Sequence, residues 1–304
     1  MTIQARGLTK HFGDCVAVDG LSFDIRPGVV TGFLGPNGSG KSTTRRLILG
    51  LDHPTAGSVT LGGRPYRELD APMREVGALL DARTLHGKRT ARQQLRWFAD
   101  AGGQPRTRVE EVLDDVGLAD VAGRRAGAFS LGMSQRLGIA AALLGDPATL
   151  LFDEPMNGLD PEGIRWVRTM LQRFAAEGRT VVVSSHLMHE MQETAEHVLV
   201  IGRGRLIADT SIAEFTQRAA GSHVRVVSPD AGELGSLLER AGGRLSAGED
   251  GSLAVGGLSA PAVGDLAAEH GLRVHELTPR RASLESAFME LTEDGVEYRP
   301  QAVR

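Results

Sequence analysis

The sequence predicts an α/β fold: a mostly parallel sheet flanked by helices, an antiparallel part near the N-terminus and a small α+β extension at the C-terminus. Three observations predict it. A glycine-rich loop, Gly35-Pro36-Asn37-Gly38-Ser39-Gly40-Lys41-Ser42-Thr43, stands between a short apolar run and a helical pattern. A second apolar run, Leu150-Leu151-Phe152, ends in the paired carboxylates Asp153 and Glu154. Around both, β-type runs alternate with helical periodicity, the order from which parallel sheets are built.

Taken along the chain, strands are expected at about 2–8, 16–25 and 29–34, the last a buried apolar run, followed by the loop and a helix with Leu47, Ile48 and Leu51 at turn spacing. A turn at 52–57 leads into a strand at 58–61, and a second turn at 62–65 precedes a strand at 76–80. Helices are expected at 91–101, 106–116, 134–144 and 162–177, with strands at 149–152 and 180–184. Residues 202–208 read as a closing hairpin, followed by a short helix at 211–219. Beyond Gly221 the composition changes, and strands at 224–227, 252–255 and 274–277 alternate with helices at 231–241 and 260–270. The expected division is therefore a domain over 1–220 and a smaller one over 221–304. A last helix, 283–292, carries Leu284, Phe288 and Leu291 as an apolar stripe.

At 304 residues and 32.3 kDa the chain can bury a full core and a smaller second unit. Its 34 basic and 38 acidic residues, net charge -4, speak against a nucleic-acid tract. The single Cys15 excludes an intrachain disulfide framework and a cysteine-rich metal site. Residues 2–9 alternate like a strand rather than a leader, and the longest apolar candidate, Leu137–Leu144, is too short to span a bilayer. These features lead us to expect a soluble intracellular enzyme that reaches a membrane, if at all, through a partner.

The loop carries the chemistry. Gly35, Gly38 and Gly40 let the backbone curl until the amides of residues such as Asn37, Ser39 and Thr43 converge on phosphate, and a helix begun at Lys41 adds its positive end. Lys41 would reach the β- and γ-phosphates of a nucleoside triphosphate and the Ser42 hydroxyl would ligate Mg²⁺. Asp153, at the carboxyl end of its strand, would hold the metal directly or through water, and Glu154 would polarise the attacking water.

The segment Phe129-Ser130-Leu131-Gly132-Met133-Ser134-Gln135-Arg136 resembles the signature sequence of the nucleotide-binding subunits of ABC transporters, P-loop NTPases with a helical signature subdomain. Its Ser-Leu-Gly-Met form is similar to the drug- and antibiotic-export branch, the daunorubicin-resistance-like, ABC-2 type. The resemblance covers residues 2–216. It implies ATP and Mg²⁺ as ligands, ATP hydrolysis, and an ATP-dependent head-to-tail homodimer in which Ser130 and Gly132 contact the γ-phosphate held mainly by the other copy. A helix opening near Ser130 would offer an uncapped N-terminus to that phosphate; the alternative is a capped helix with Leu131, Leu137 and Leu144 buried.

The same resemblance implies that Phe12 stacks on adenine, or is an ordinary hydrophobic residue near a turn. It implies that Asp160, in Asn157-Gly158-Leu159-Asp160, lies along the dimer interface and that His186 hydrogen-bonds the γ-phosphate. Asp81 stands where the family usually has glutamine; an ionised carboxylate accepts hydrogen bonds but donates none, so metal or water contact stays open while coupling through an amide does not. The segment 81–96, with Arg83, Lys88, Arg89 and Arg92, would border a groove for the membrane partner or form solvated surface. The implied partners are ABC-2-type membrane permease subunits at the cytoplasmic face of a prokaryotic cell membrane, and the implied work is export of a small molecule, antibiotic or peptide. A soluble non-transport ABC ATPase or an ATP-dependent conformational switch is the alternative. Such proteins usually carry two nucleotide domains or a long coiled-coil insertion, or lack the hydrolytic glutamate, and this sequence shows none of these traits.

Overall fold

The computed structural model describes residues 1–81, 85–185, 187–218, 223–248, 251–280 and 283–292. Ile3–Phe12 (β1) and Cys15–Ile25 (β2) pair antiparallel. Val30–Leu34 (β3), buried at every residue, is followed by Lys41–Ile48 (α1), and Ala56–Leu61 (β4) then returns to the other edge of β1. Pro72–Glu75 (α2) leads into Val76–Leu79 (β5), after which Ala91–Ala101 (α3), Thr107–Asp115 (α4) and Leu131–Leu143 (α5) form a helical stretch. Thr149–Asp153 (β6), Pro161–Ala176 (α6), Thr180–Ser184 (β7), Met188–Thr194 (α7), His197–Gly202 (β8) and Arg205–Ser211 (β9) follow.

The large sheet has the order β5-β6-β7-β3-β8-β9, and the pairs β5–β6, β6–β7, β7–β3 and β3–β8 are parallel. With β7 between β3 and β6, the carboxyl ends of all three strands open on one edge. The glycine loop, the Asp153-Glu154 pair and Ser184 therefore meet where ligands of open α/β sheets collect. The small sheet β2-β1-β4 is antiparallel. Both sheets share one core with α1: Ile3, Leu8 and Leu21 pack with Phe33, Leu47, Ile48, Leu151 and Val182.

Local chemistry sets the helix ends. Thr90 and Gln93 form a reciprocal capping box that starts α3. Ser130 caps α5, so that helix begins at Leu131, three residues ahead of the expected Ser134. Strand β1 runs on to Phe12 because its pairing with β2 continues through irregular register to Cys15.

The described chain divides into two compact units, Met1–Thr210 and Ser211–Glu293. The second contains Ile212–Arg218 (α8), His223–Val227 (β10), Ala231–Arg240 (α9), Arg244–Ala247 (β11), Leu253–Gly256 (β12), Ala260–Glu269 (α10), Glu276–Arg280 (β13) and Leu284–Thr292 (α11). Its antiparallel sheet has the order β11-β12-β10-β13, a β-α-β-β-α-β unit around Val226, Leu234, Leu238, Val255 and Val263. The sequence predicts three strands here and the described residues form four. β11 escapes prediction because, on this edge strand, only Leu245 is even partly buried, so there is little alternation to read. The last strand lies at 276–280 rather than 274–277, and as an edge it tolerates Pro279. In α11 the expected stripe divides: Leu284 and Phe288 are buried, Leu291 is exposed. No helix among the described residues is long and apolar enough to cross a membrane.

Leu151 is fully buried at the centre of the large sheet. Leu151→Ala is expected to lower the unfolding free energy by about 2–5 kcal/mol through lost transfer energy and a residual cavity, measured by urea denaturation.

Candidate functional site

The loop between β3 and α1 turns tightly enough that only glycine fits its last position. Gly40 has φ +99°, and a Cβ there would lie 2.3 Å from the carbonyl oxygen of Ala17. The first bond of α1 runs from the Thr44 amide to the Gly40 carbonyl. The amides of Lys41, Ser42 and Thr43 precede that bond, at the positive end of the helix dipole. Ser39 Oγ is buried without a hydrogen-bond partner beside them. The Lys41 ammonium donates to the carbonyls of Gly35 (2.5 Å) and Pro36 (2.9 Å). Burial pushes its pKa down, and the neighbouring Arg45 pushes it further, against the pull of Asp153 and Glu154.

A cleft of about 510 Å³ gathers residues 37–43 with Arg45, Asp153, Glu154 and Arg203, and Cys15, Val16 and Ala17 of β2 form its wall. Asp153 ends β6 opposite Ser184 of β7, whose hydroxyl donates to Asp153 Oδ1 (2.6 Å). Glu154 follows in the left-handed region, φ +50°, a strained backbone for a non-glycine residue. Its amide donates to the Ser184 carbonyl (3.0 Å), and its own carbonyl accepts from the Gln135 side chain (2.6 Å). A second cavity, about 320 Å³, brings Asp81 together with Asp153, Glu154, Leu131, Gln135 and Asn157. The structure thus places the Asp81 position beside the same two carboxylates.

Two residues that take part in this arrangement were given no role by sequence reasoning. Arg45, one turn into α1, is almost wholly buried: its side chain is 4% exposed, against 21% for its partner Asp153. It pairs with Asp153 Oδ2 at 2.6 Å and donates to Ser184 Oγ (2.7 Å) and Ser42 Oγ (3.1 Å). Burial lowers its pKa, while Asp153 and Glu154 raise it. The available signal was an arginine three residues before Ile48, on the apolar face of a short helix. Gln135, also buried, had the weaker signal of a polar residue on the inner face of α5.

Ser130 accepts the Met133 amide (3.2 Å), so α5 is capped and the uncapped N-terminus is not observed. Only the amides of Leu131 and Gly132 remain ahead of its first helical turn. Leu137 and Leu144 are buried but Leu131 is exposed. Gly132 packs against the next loop, where an added Cβ would lie 3.0 Å from the Gly158 carbonyl oxygen. Asp160 caps α6 by accepting the Gly163 amide (2.9 Å). Phe12 is exposed at the end of β1, paired in register with Cys15 of the cleft wall, and Lys10 stands 4.9 Å over its ring. His186 lies outside the described residues.

The donor set fits a magnesium-bound triphosphate: converging amides, a lysine, an unpartnered buried hydroxyl, and a serine and an aspartate as hard oxygen ligands. A family profile described as ABC transporter matches residues 18–157, and one described as a domain of unknown function (DUF8746) matches residues 222–285. The chain is 33% identical over 293 residues to the uncharacterized ABC transporter ATP-binding protein YhcH of Bacillus subtilis (strain 168), 95% of each chain. This chain belongs to the ABC transporter ATP-binding proteins. As an ABC-transporter ATPase it has the P-loop fold that uses ATP and Mg²⁺. It is also 37% identical over 219 residues to the bacitracin transport ATP-binding protein BcrA of Bacillus licheniformis, covering 71% of this chain and 72% of that one. A solved dimeric bacterial ABC transporter cassette shares its fold with TM-score 0.63 at 24% identity, covering 69% of this chain and 98% of that one.

Because Ser130 is the N-cap of α5, Ser130→Ala is expected to cost about 1 kcal/mol of stability, read by chemical denaturation, with Ser130→Asn close to wild type.

Proposed function

We propose that this ABC-transporter ATPase binds ATP between two head-to-tail copies and drives export of an antibiotic, peptide or other small molecule through separate ABC-2-type membrane permease subunits. The observation that carries the reading is the meeting, in one cleft, of the loop amides, Lys41 and Ser42 with Asp153 and Glu154. The loop from Gly35 to Gly40, the Thr43 amide and Lys41 would hold the phosphates, and Ser42 and Asp153 would hold Mg²⁺, with Asp81 within reach of the same carboxylates. Bound there, the metal would neutralise phosphate charge. Glu154 would orient and polarise the attacking water, its strained backbone held in place by Gln135 and Ser184.

Ser130 and Gly132 would meet the γ-phosphate held by the other copy, through the Leu131 and Gly132 amides that the Ser130 cap leaves open. Asp160 would lie along that interface, Phe12 would stack on adenine and His186 would bond the γ-phosphate. ATP would then be an interfacial ligand that selects the closed dimer, and hydrolysis would release it. The place of work would be the cytoplasmic face of the membrane. The likeness to a bacitracin transport subunit supports an exported, antibiotic-like cargo, and the solved dimeric cassette supports pairing of two copies.

Glu154→Gln is expected to lower ATP turnover at least about 100-fold while keeping ATP binding, and to accumulate as an ATP-dependent dimer by light scattering. Turnover retained by that variant would reject Glu154 as the hydrolytic residue.

A further inference from the structure

Arg45 stands out as a charge buried where α1 should present an apolar side chain. Its helix neighbours Leu47 and Ile48 enter the shared core. Its guanidinium instead reaches the edge of the cleft and touches three polar groups of the site: Asp153 at 2.6 Å, Ser184 Oγ at 2.7 Å and Ser42 Oγ at 3.1 Å. Ser42 and Asp153 are the two residues read above as the metal's protein ligands, and the inference rests on that reading. Together with Lys41, Arg45 balances the charges of Asp153 and Glu154 before any ligand arrives.

We propose that Arg45 is a resident cation of the metal site, which neutralises Asp153 and holds Ser42 so that triphosphate binding depends only weakly on divalent cation. Two consequences of charge lead to this. A fixed positive charge next to both metal ligands repels an incoming Mg²⁺, and burial keeps that repulsion from being screened. The same charge would attract the phosphates of metal-free triphosphate held, on that reading, by the loop amides and Lys41. Metal-free binding is strengthened and the added benefit of the metal is reduced, so the ratio of the two affinities contracts. An arginine that merely anchored α1 to β6 would alter stability and leave that ratio unchanged.

The test is calorimetric titration of the full chain with the hydrolysis-resistant analogue AMP-PNP, in excess EDTA and in saturating MgCl₂. The wild type is expected to show affinities within about tenfold of each other in the two conditions. In Arg45→Met and Arg45→Gln, which remove the charge, the ratio should widen by at least about tenfold, whereas Arg45→Lys, which keeps it, should stay near wild type. A wild-type ratio in either folded neutral variant overturns the proposal. Should neither neutral variant fold by circular dichroism, the wild-type ratio decides alone, and a value above about 100-fold overturns it. Failure of the wild type to bind AMP-PNP in both conditions is a different result, which removes the nucleotide reading of the cleft itself.

Discussion

One backbone constraint organises this subunit: the chain must reverse between β3 and α1 within a loop narrow enough to aim its amides outward at the carboxyl edge of the sheet. Gly40, pressed to within 2.3 Å of Ala17 O at its imagined Cβ, marks how little room there is. Given that turn, α1 starts with its positive end on the cleft, and Lys41 and Ser42 of its first turn both line it. The order β6-β7-β3 then brings Asp153 and Glu154 to the same edge from a strand more than a hundred residues later in the chain. Chemistry that is dispersed in sequence is local in space because parallel strands end together.

Holding that geometry requires polar links across the core. The Arg45–Asp153 pair ties α1 to β6, and the Ser184 hydroxyl, donating to Asp153 while accepting from Arg45, extends the tie to β7. Buried pairs of this kind are expensive to break from one side, since the other charge is left without a partner. A second link runs from Gln135 of α5 to the Glu154 carbonyl. A shift of α5 would thus be felt at the backbone of Glu154. Such a connection suits a machine in which the state of one surface must reach another.

Much of this was legible in the sequence. The glycine loop, flanked by a strand and a helix, needs no tertiary information to be read, because its glycine spacing and its place in the chain are local features of the sequence. The Asp153-Glu154 pair was legible only together with that loop, because an apolar run that ends in two carboxylates is by itself a weak signal. Arg45 was not, because its meaning comes from a partner 108 positions away in sequence and from burial. Ser130 is expected both at a phosphate and as a cap; the structure shows the cap, its hydroxyl accepting the Met133 amide, and a hydroxyl that accepts one hydrogen bond still has its own O–H to donate. β11 was missed because an exposed edge strand carries almost no hydrophobic alternation.

The most direct measurement is the affinity for ATP, by titration calorimetry, of the wild type against Lys41→Ala. If the loop and its lysine form the triphosphate cradle, the wild type binds and the variant loses at least about tenfold in affinity. Equal affinities in the two proteins would contradict the placement of the phosphates at the turn between β3 and α1.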